Sequence, residues 1–588
     1  MTGQGILSRT RRQAWADRWS ARRAALLIAL TGPSAIRWPE PRLAGDPRRG
    51  RWLLEGRWRI GAEVFEAPGI MPWDLAPEMP EAAALHGWDW LDDLAAVGDA
   101  RARALAQTWV RDWIARYGRG TGPGWTPALS AGRLLRLLGH GAFLRRGADA
   151  LEEPVLVRVV ARDAAFLAGR WRSLARPEMR FAALTGLIQS GIALPGRSAS
   201  VERIGRSLVR EAKRAIDAQG GTPSRNPEAL LACVGHILDA SHAMTAAGRP
   251  PPPELAAAVA RAAPVLRTLR HADGSLARFH GGGRGGEGAL EQVLAAAGRP
   301  SVGGGRPPLA MGYLRLAAGR TTLIADAAPP PSGAASCTAH ASTLAIEVTS
   351  GRRPLIVNCG PGHGFGRDWQ RAARATRSHS ALELDGLSSS RLGVQHPGEE
   401  GARLVEAPRR VIAEITPLSR GLRAELAHDG WRASHGLTCA RILRLSPDGS
   451  RIEGEDLLTT LTRADGERLD RALSGARGLG LPAAVRFHFH PDVEAELEDH
   501  MVHLGLPNGE RWVLAQEGAV DVTIEPSVHL DPGALHPYPA LQAVLHLRVL
   551  GASTRLRWTL TRSKGTSGAL RDLGPVGFRD ESSEEASA

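Results

Sequence analysis

The stretch LHLRVLGASTRLRWTL, residues 545–560, decides how the second half of the chain is read. Leu545, Leu547 and Val549 alternate with His546 and Arg548. Past Gly551, Leu556, Trp558 and Leu560 alternate with Arg557 and Thr559. A period of two marks a half-buried strand, and a glycine-containing turn between two such runs predicts a hairpin. Working outward, GYLRLAAGRTTLIAD (312–326) predicts a second hairpin, and short alternating segments fill the interval between them. Residues 301–565 are therefore expected to form a large antiparallel β-sandwich.

Upstream the period changes to that of helices. Leu105, Trp109 and Trp113 fall at i, i+4 and i+8. Further helical stretches are expected at Ser130–Leu144, Val155–Leu174, Glu178–Ile192, Val201–Ala218, Pro227–Ala247 and Pro253–Leu269. Breakers such as GRGTGPGWTP (118–127) and GRPPPP (248–253) separate them, which implies antiparallel helices with short loops. No fixed repeat length stands out, although helix pairs stacked in an arc or toroid fit the pattern. The division expected is an N-terminal extension (1–74), a helical domain (75–300), the sandwich (301–565) and a disordered acidic tail (566–588) ending ESSEEASA. HGGGRGGEG (280–288) and SVGGGRPP (301–308) mark the change of period.

The 588 residues are 43% hydrophobic, enough for large cores and too apolar for global disorder. Four scattered cysteines exclude a disulfide scaffold. The net charge is +13, yet only Lys213 and Lys564 are lysines, so the excess is arginine in a composition typical of a GC-rich gene. No nucleic-acid recognition module accompanies that charge, and a polyanionic partner of another kind is expected. Arginines from Arg9 to Arg23 precede AALLIALTGPSA, a run too short for a transmembrane segment and lacking a clean cleavage site. An amphipathic first helix is the favoured reading, with export left open.

HASTLAIEVTSGRRPLIVNCG (340–360) followed by RAARATRSHSALELDG (371–386) resembles the C-terminal domain of the heparinase II/III family. PEALLACVGHILDA (227–240), HADGSLARFHGGG (271–283), MPWDL (71–75) and WDWLDDL (88–94) resemble the helical half of bacterial members, so the likeness runs from about residue 50 to 565. The resemblance implies a helical toroid plus sandwich with a site in the cleft between them. It implies β-elimination on a uronic-acid polysaccharide, such as a glycosaminoglycan or alginate, with no organic cofactor and an envelope or periplasmic location, a cytoplasmic one remaining open. Taking the C5 proton requires neutralising the adjacent carboxylate, a base, and a proton for the leaving oxygen. A non-catalytic glycan-binding or envelope-biogenesis protein on the same scaffold is the alternative.

Site residues follow from the same resemblance. Asn226 stands where the family places its carboxylate-neutralising group, although Ser-Arg-Asn-Pro-Glu also reads as a helix N-cap with proline at N1. Arg225 and Glu228 are neighbouring substrate-binding candidates. The family tyrosine has no counterpart downstream in the helical half, where Tyr117 lies too early; His280, beside Phe279, is the candidate base in its place. His340, expected to open a strand, is the leading catalytic imidazole. His340, Asn358 and His379 correspond to a divalent-metal site for zinc or calcium, but Thr338 replaces one family histidine and Asn358–Cys359 replace Asp-Pro. An amide is a poor zinc ligand. Arg371, Arg374 and Arg377, at helical spacing, are read as a stripe for sugar carboxylates, with Arg374 and Arg377 as substrate-binding residues. His488 and His490 are expected at the surface opposite a core face of Phe487 and Phe489. Trp88 and Trp90 are expected to pack between helices rather than stack on sugars.

Overall fold

The computed structural model describes residues 10–33, 35–39, 45–147, 150–298, 309–396, 401–418, 421–518 and 520–563. The acidic tail and the SVGGGRPP segment lie outside these residues.

Among the described residues eleven α-helices carry the N-terminal half: α1 (Arg11–Thr31), α2 (Pro47–Leu54), α3 (Asp89–Val97), α4 (Ala100–Tyr117), α5 (Pro127–Leu144), α6 (Glu153–Arg170), α7 (Pro177–Ala193), α8 (Val201–Ala215), α9 (Pro227–Ala246), α10 (Pro253–Thr268) and α11 (Ala289–Ala296). The six expected from period alone recur as α5–α10 with ends shifted by a few residues. A repeat does exist: α5, α7 and α9 begin at Pro127, Pro177 and Pro227, fifty residues apart. They form an inner layer, α5 packing on α7 and α7 on α9, while α6, α8 and α10 back them outside. Proline at the first helical position needs no N–H there, and Thr126 and Asn226 cap the N–H groups of Leu129 and Ala229. Helix α9 is long and apolar enough to cross a membrane, yet here it lies against α7 and α10 in the helical core. The described residues among the first 74 join this domain. Ala21, Ala24 and Ile28 of α1 and Trp58 of a short hairpin (Arg57–Ile60 with Glu63–Glu66) share its apolar core.

The C-terminal half is a sandwich of nine-stranded and eight-stranded sheets, antiparallel throughout. Strands Tyr313–Ala318 and Thr321–Asp326 form the expected hairpin. The other expected hairpin does not form. Tyr538–Val549 pairs with Leu481–Phe489 in the larger sheet, whereas Ser553–Arg562 pairs with Arg451–Thr459 in the smaller one. The chain at 550–552 therefore crosses between sheets, and Leu545 and Trp558 both face the core between them. Alternation is the same whether two strands pair edge to edge or face one another across a core. Phe487 and Phe489 fill that core as expected. His488 and His490 do not reach the surface: His488 is buried within the sandwich, against Ser527, Cys359 and the Arg377 carbonyl, and His490 beside His529, which Arg278 of the helical half reaches.

Candidate functional site

The segment Thr222–Asn226, ending at the start of α9, meets the sandwich through one guanidinium. Arg225 donates from Nε to the Met311 carbonyl, from Nη1 to Ala328 and Pro329, and from Nη2 to Gly312 and the Asp326 carboxylate. Its plane lies over the Tyr313 ring, 4.7 Å from the centroid, and the Tyr313 hydroxyl donates back to the Arg225 carbonyl. Asp326 also accepts from Ser342 Oγ at 2.7 Å and faces His280 Nε2 at 3.4 Å. Arg225 and His280 both hold left-handed backbone, φ 49° and 50°, a conformation that persists where the surroundings fix it.

Around this staple the sequence candidates converge. The Asn226 Oδ1 accepts from Ala229 N–H and its Nδ2 donates to the His280 carbonyl at 3.3 Å. His280 Nδ1 accepts from the His340 N–H at 3.1 Å. A backbone N–H can only donate, so Nδ1 is unprotonated and the neutral ring carries its proton on Nε2, which lies 3.3 Å from Arg225 Nη1 and 3.4 Å from the Asp326 carboxylate. Both nitrogens of His280 are thus engaged. Burial, and then the Arg225 charge, hold its pKa well below the ordinary value, so the ring is neutral.

His340 differs. His379 Nδ1 lies 2.8 Å from the Ala375 carbonyl, which can only accept, so His379 carries its proton there and offers Nε2 to His340 Nδ1 at 3.0 Å. His340 is left with its lone pair on Nε2, which has no hydrogen-bond partner among the described residues. Burial, followed by the neighbouring His379, His280, Arg374 and His363, keeps His340 neutral. It opens no strand: it sits in a loop, and the strand starts only at Ile346, because Ser342 and Leu344 turn back to bond Asp326.

The other candidates serve structure. Glu228 accepts from the Gly283 N–H. The arginine stripe is not formed, since the helix Arg367–Ala372 stops short of it. Arg374 is buried, donating to the carbonyls of Ala339, Ala402 and Ser336, while Arg377 pairs with Glu383 on a different side. Trp88 and Trp90 pack in the aromatic cluster with Trp113 and Trp109.

The residues do not fit the implied metal. His340 and His379 spend their facing nitrogens on each other. Asn358 donates to Glu347 and accepts from the Ser380 N–H, which leaves no third ligand. Among the described residues, no group of three or more His, Cys, Asp or Glu side chains is placed to hold a metal ion. Nor does Cys359 supply a thiolate: burial pushes its thiol up to about 11.

A cleft of ≈ 260 Å³ opens between the helical half and the sandwich loops. Arg49, Arg57, Arg59 and Arg367 line it with Trp52, Trp58 and Trp90; Glu81, Asp89 and Asp93 supply the carboxylates. Asp93 is paired with Arg49 and Asp89 with Arg136. Arg59 is fixed by the carbonyls of Gly364 and Pro532 and stacks on Phe365. His363, in the cleft wall, lies close enough to His340 to depress its pKa. Arg59, Asp326, Tyr313 and His363 were not singled out from the sequence. The one available signal was Asp326, a carboxylate ending a fully buried strand.

Residues 305–559 match the family model described as heparinase II/III-like, C-terminal. Across 556 residues the chain is 33% identical to FtsZ-localized protein C of Caulobacter vibrioides (strain NA1000 / CB15N), covering 92% of each chain. Among solved structures, heparinase III superposes with a TM-score of 0.66 at 13% identity, over 92% of this chain and 89% of that one. A heparan sulfate lyase HepC mutant from Pedobacter heparinus gives 0.55 at 12% identity, over 93% and 88%. At such identity the likeness to these enzymes is one of fold.

Proposed function

Because the chain belongs to the heparinase II/III-like family, we propose that it binds a uronate-containing acidic polysaccharide in the cleft between its two halves without cleaving it. One observation carries the second part of this reading. β-Elimination needs a free group to neutralise the uronate carboxylate, a base and a proton donor. Of the candidates, the Asn226 amide and His280 Nδ1 are spent on structural hydrogen bonds, His280 Nε2 is enclosed by Arg225 and Asp326, and Tyr313 donates to a backbone carbonyl. His280, Arg225 and Asn226, none of which lines the cleft, then act as a junction between the two halves. Guanidinium groups for carboxylates and the half-buried Trp52 indole for a sugar ring support the first part.

A second reading, elimination with His340 as the base, is favoured by its unpartnered Nε2. Incubation with heparan sulfate, chondroitin, hyaluronan, alginate and polyglucuronate, read by the absorbance of unsaturated uronate, separates the two. No absorbance is expected from any of them. A signal that His340→Ala abolishes would replace the binding reading with the lyase one.

We extend to this chain the location in its Caulobacter relative's name, alongside FtsZ, which suits the envelope setting. A fluorescent fusion is expected to follow FtsZ; a uniform distribution would contradict that extension.

A further inference from the structure

Helix α1 has one face that nothing among the described residues covers. Toward α6 it turns Ala21, Ala24 and Ile28, and Asp17 on the same side pairs with Arg170. At about 100° per residue, Trp15, Trp19, Leu26 and Leu30 fall within a stripe roughly 60° wide on the opposite side. These four large side chains are 69%, 54%, 65% and 76% exposed. Arg11, Arg18 and Arg22 border the stripe on one flank, Arg12 and Arg23 on the other, and all five are exposed. The helix has a single acidic residue, the buried Asp17.

An apolar stripe of indoles and leucines between two rows of guanidiniums matches the layered chemistry of a lipid surface. The indoles and leucines suit the boundary between headgroup and acyl chain, while arginine stems extend sideways to bring their charge to phosphates. A second copy of the chain is a poor occupant, since it would set five exposed arginines against five more. We propose that α1 lies in the interface of an anionic lipid bilayer, with Trp15, Trp19, Leu26 and Leu30 inserted. The helix is fastened to α6, so this contact would hold the folded molecule at the membrane in one orientation. The inference stands apart from the glycan reading and uses none of its residues.

The test uses the full chain, floated with vesicles of phosphatidylcholine alone or with a third phosphatidylglycerol. Flotation is expected with the anionic vesicles, weaker by about tenfold or more with neutral ones, and reduced by salt. The quadruple variant Trp15→Ser, Trp19→Ser, Leu26→Ser and Leu30→Ser should lose it while melting as the wild type does, because none of the four is in the core. A second variant, Arg18→Gln with Arg22→Gln and Arg23→Gln, should lose the preference for anionic lipid. The proposal is overturned if the wild-type chain does not float, or if the quadruple variant, still folded, floats equally well. It is also overturned if light scattering without lipid finds a dimer that the quadruple variant dissolves, since that would give the face to a second copy.

Discussion

Arg225 concentrates more of the structure than any other single side chain described. It is nearly buried and bonds to four carbonyls and one carboxylate, so its removal leaves Asp326 charged, fully buried and short of its main partner. Breaking a buried pair from one side typically costs about 3–5 kcal/mol. Arg225→Ala is expected to lose stability in that range by urea unfolding, and a loss under about 1 kcal/mol would show that the staple is dispensable. The histidines make a second prediction at this scale. Burial, foremost, pushes His236, His379 and His428 down to about 4 and His488 and His490 to about 3. Unfolded, each titrates near 6.5. Above that value both states are neutral and these groups contribute no pH dependence. Between the folded and unfolded values, the unfolded chain takes up protons that the folded chain does not, so stability falls as pH falls. The thermal midpoint should therefore drop steadily from about pH 7 to about pH 5, above most ordinary carboxylate titration. A midpoint constant across that window would contradict the buried, neutral assignment.

Among elements, the inner helices show what a sequence displays and what it hides. Their apolar period locates all three, the starts of α5 and α7 being read up to three residues late, and Asn226 caps α9 as its Ser-Arg-Asn-Pro-Glu context indicates. Asn226→Ala should cost about 1 kcal/mol or more, and Asn226→Asp should recover only part of it, because an aspartate can accept the Ala229 N–H but cannot donate to the His280 carbonyl. Equal stability of the two variants would remove the capping role. The fifty-residue repeat was harder to see, since only the X-Pro starts recur while the packed side chains vary. In the sandwich, alternation identifies strands but not partners. Hence 545–560 reads as a hairpin although its two strands belong to different sheets. Gly454 depends on that arrangement: a Cβ there would lie 2.0 Å from Cε2 of Trp558, its cross-strand partner. Gly454→Ala should lose about 1–3 kcal/mol or more by overpacking, measured by denaturant unfolding. A neutral result would mean that the Trp558 ring has room to move aside.

For the molecule as a whole, the meeting of two domains sets the chemistry. His280, Asn226 and His340 were legible as candidates, and their convergence follows their order along the chain. Their engagement was not legible, because it depends on Asp326, Ser342 and the His340 N–H arriving from the other domain. The same limit applies to His488 and His490, whose burial depends on Ser527 and Arg377 for the first and on Arg278 of the helical half for the second. The +13 charge does not locate a partner; in the proposed reading the cleft does, through Arg57 and Arg367, which line it at the boundary between the halves. The most direct measurement of the central claim is calorimetric titration of polyglucuronate into the wild-type chain and into Arg57→Ser with Arg367→Ser. Saturable binding to the wild type is predicted, with salt-dependent affinity that falls about tenfold or more in the double variant. No binding to the wild type, or equal binding to both proteins, would contradict a glycan held in this cleft.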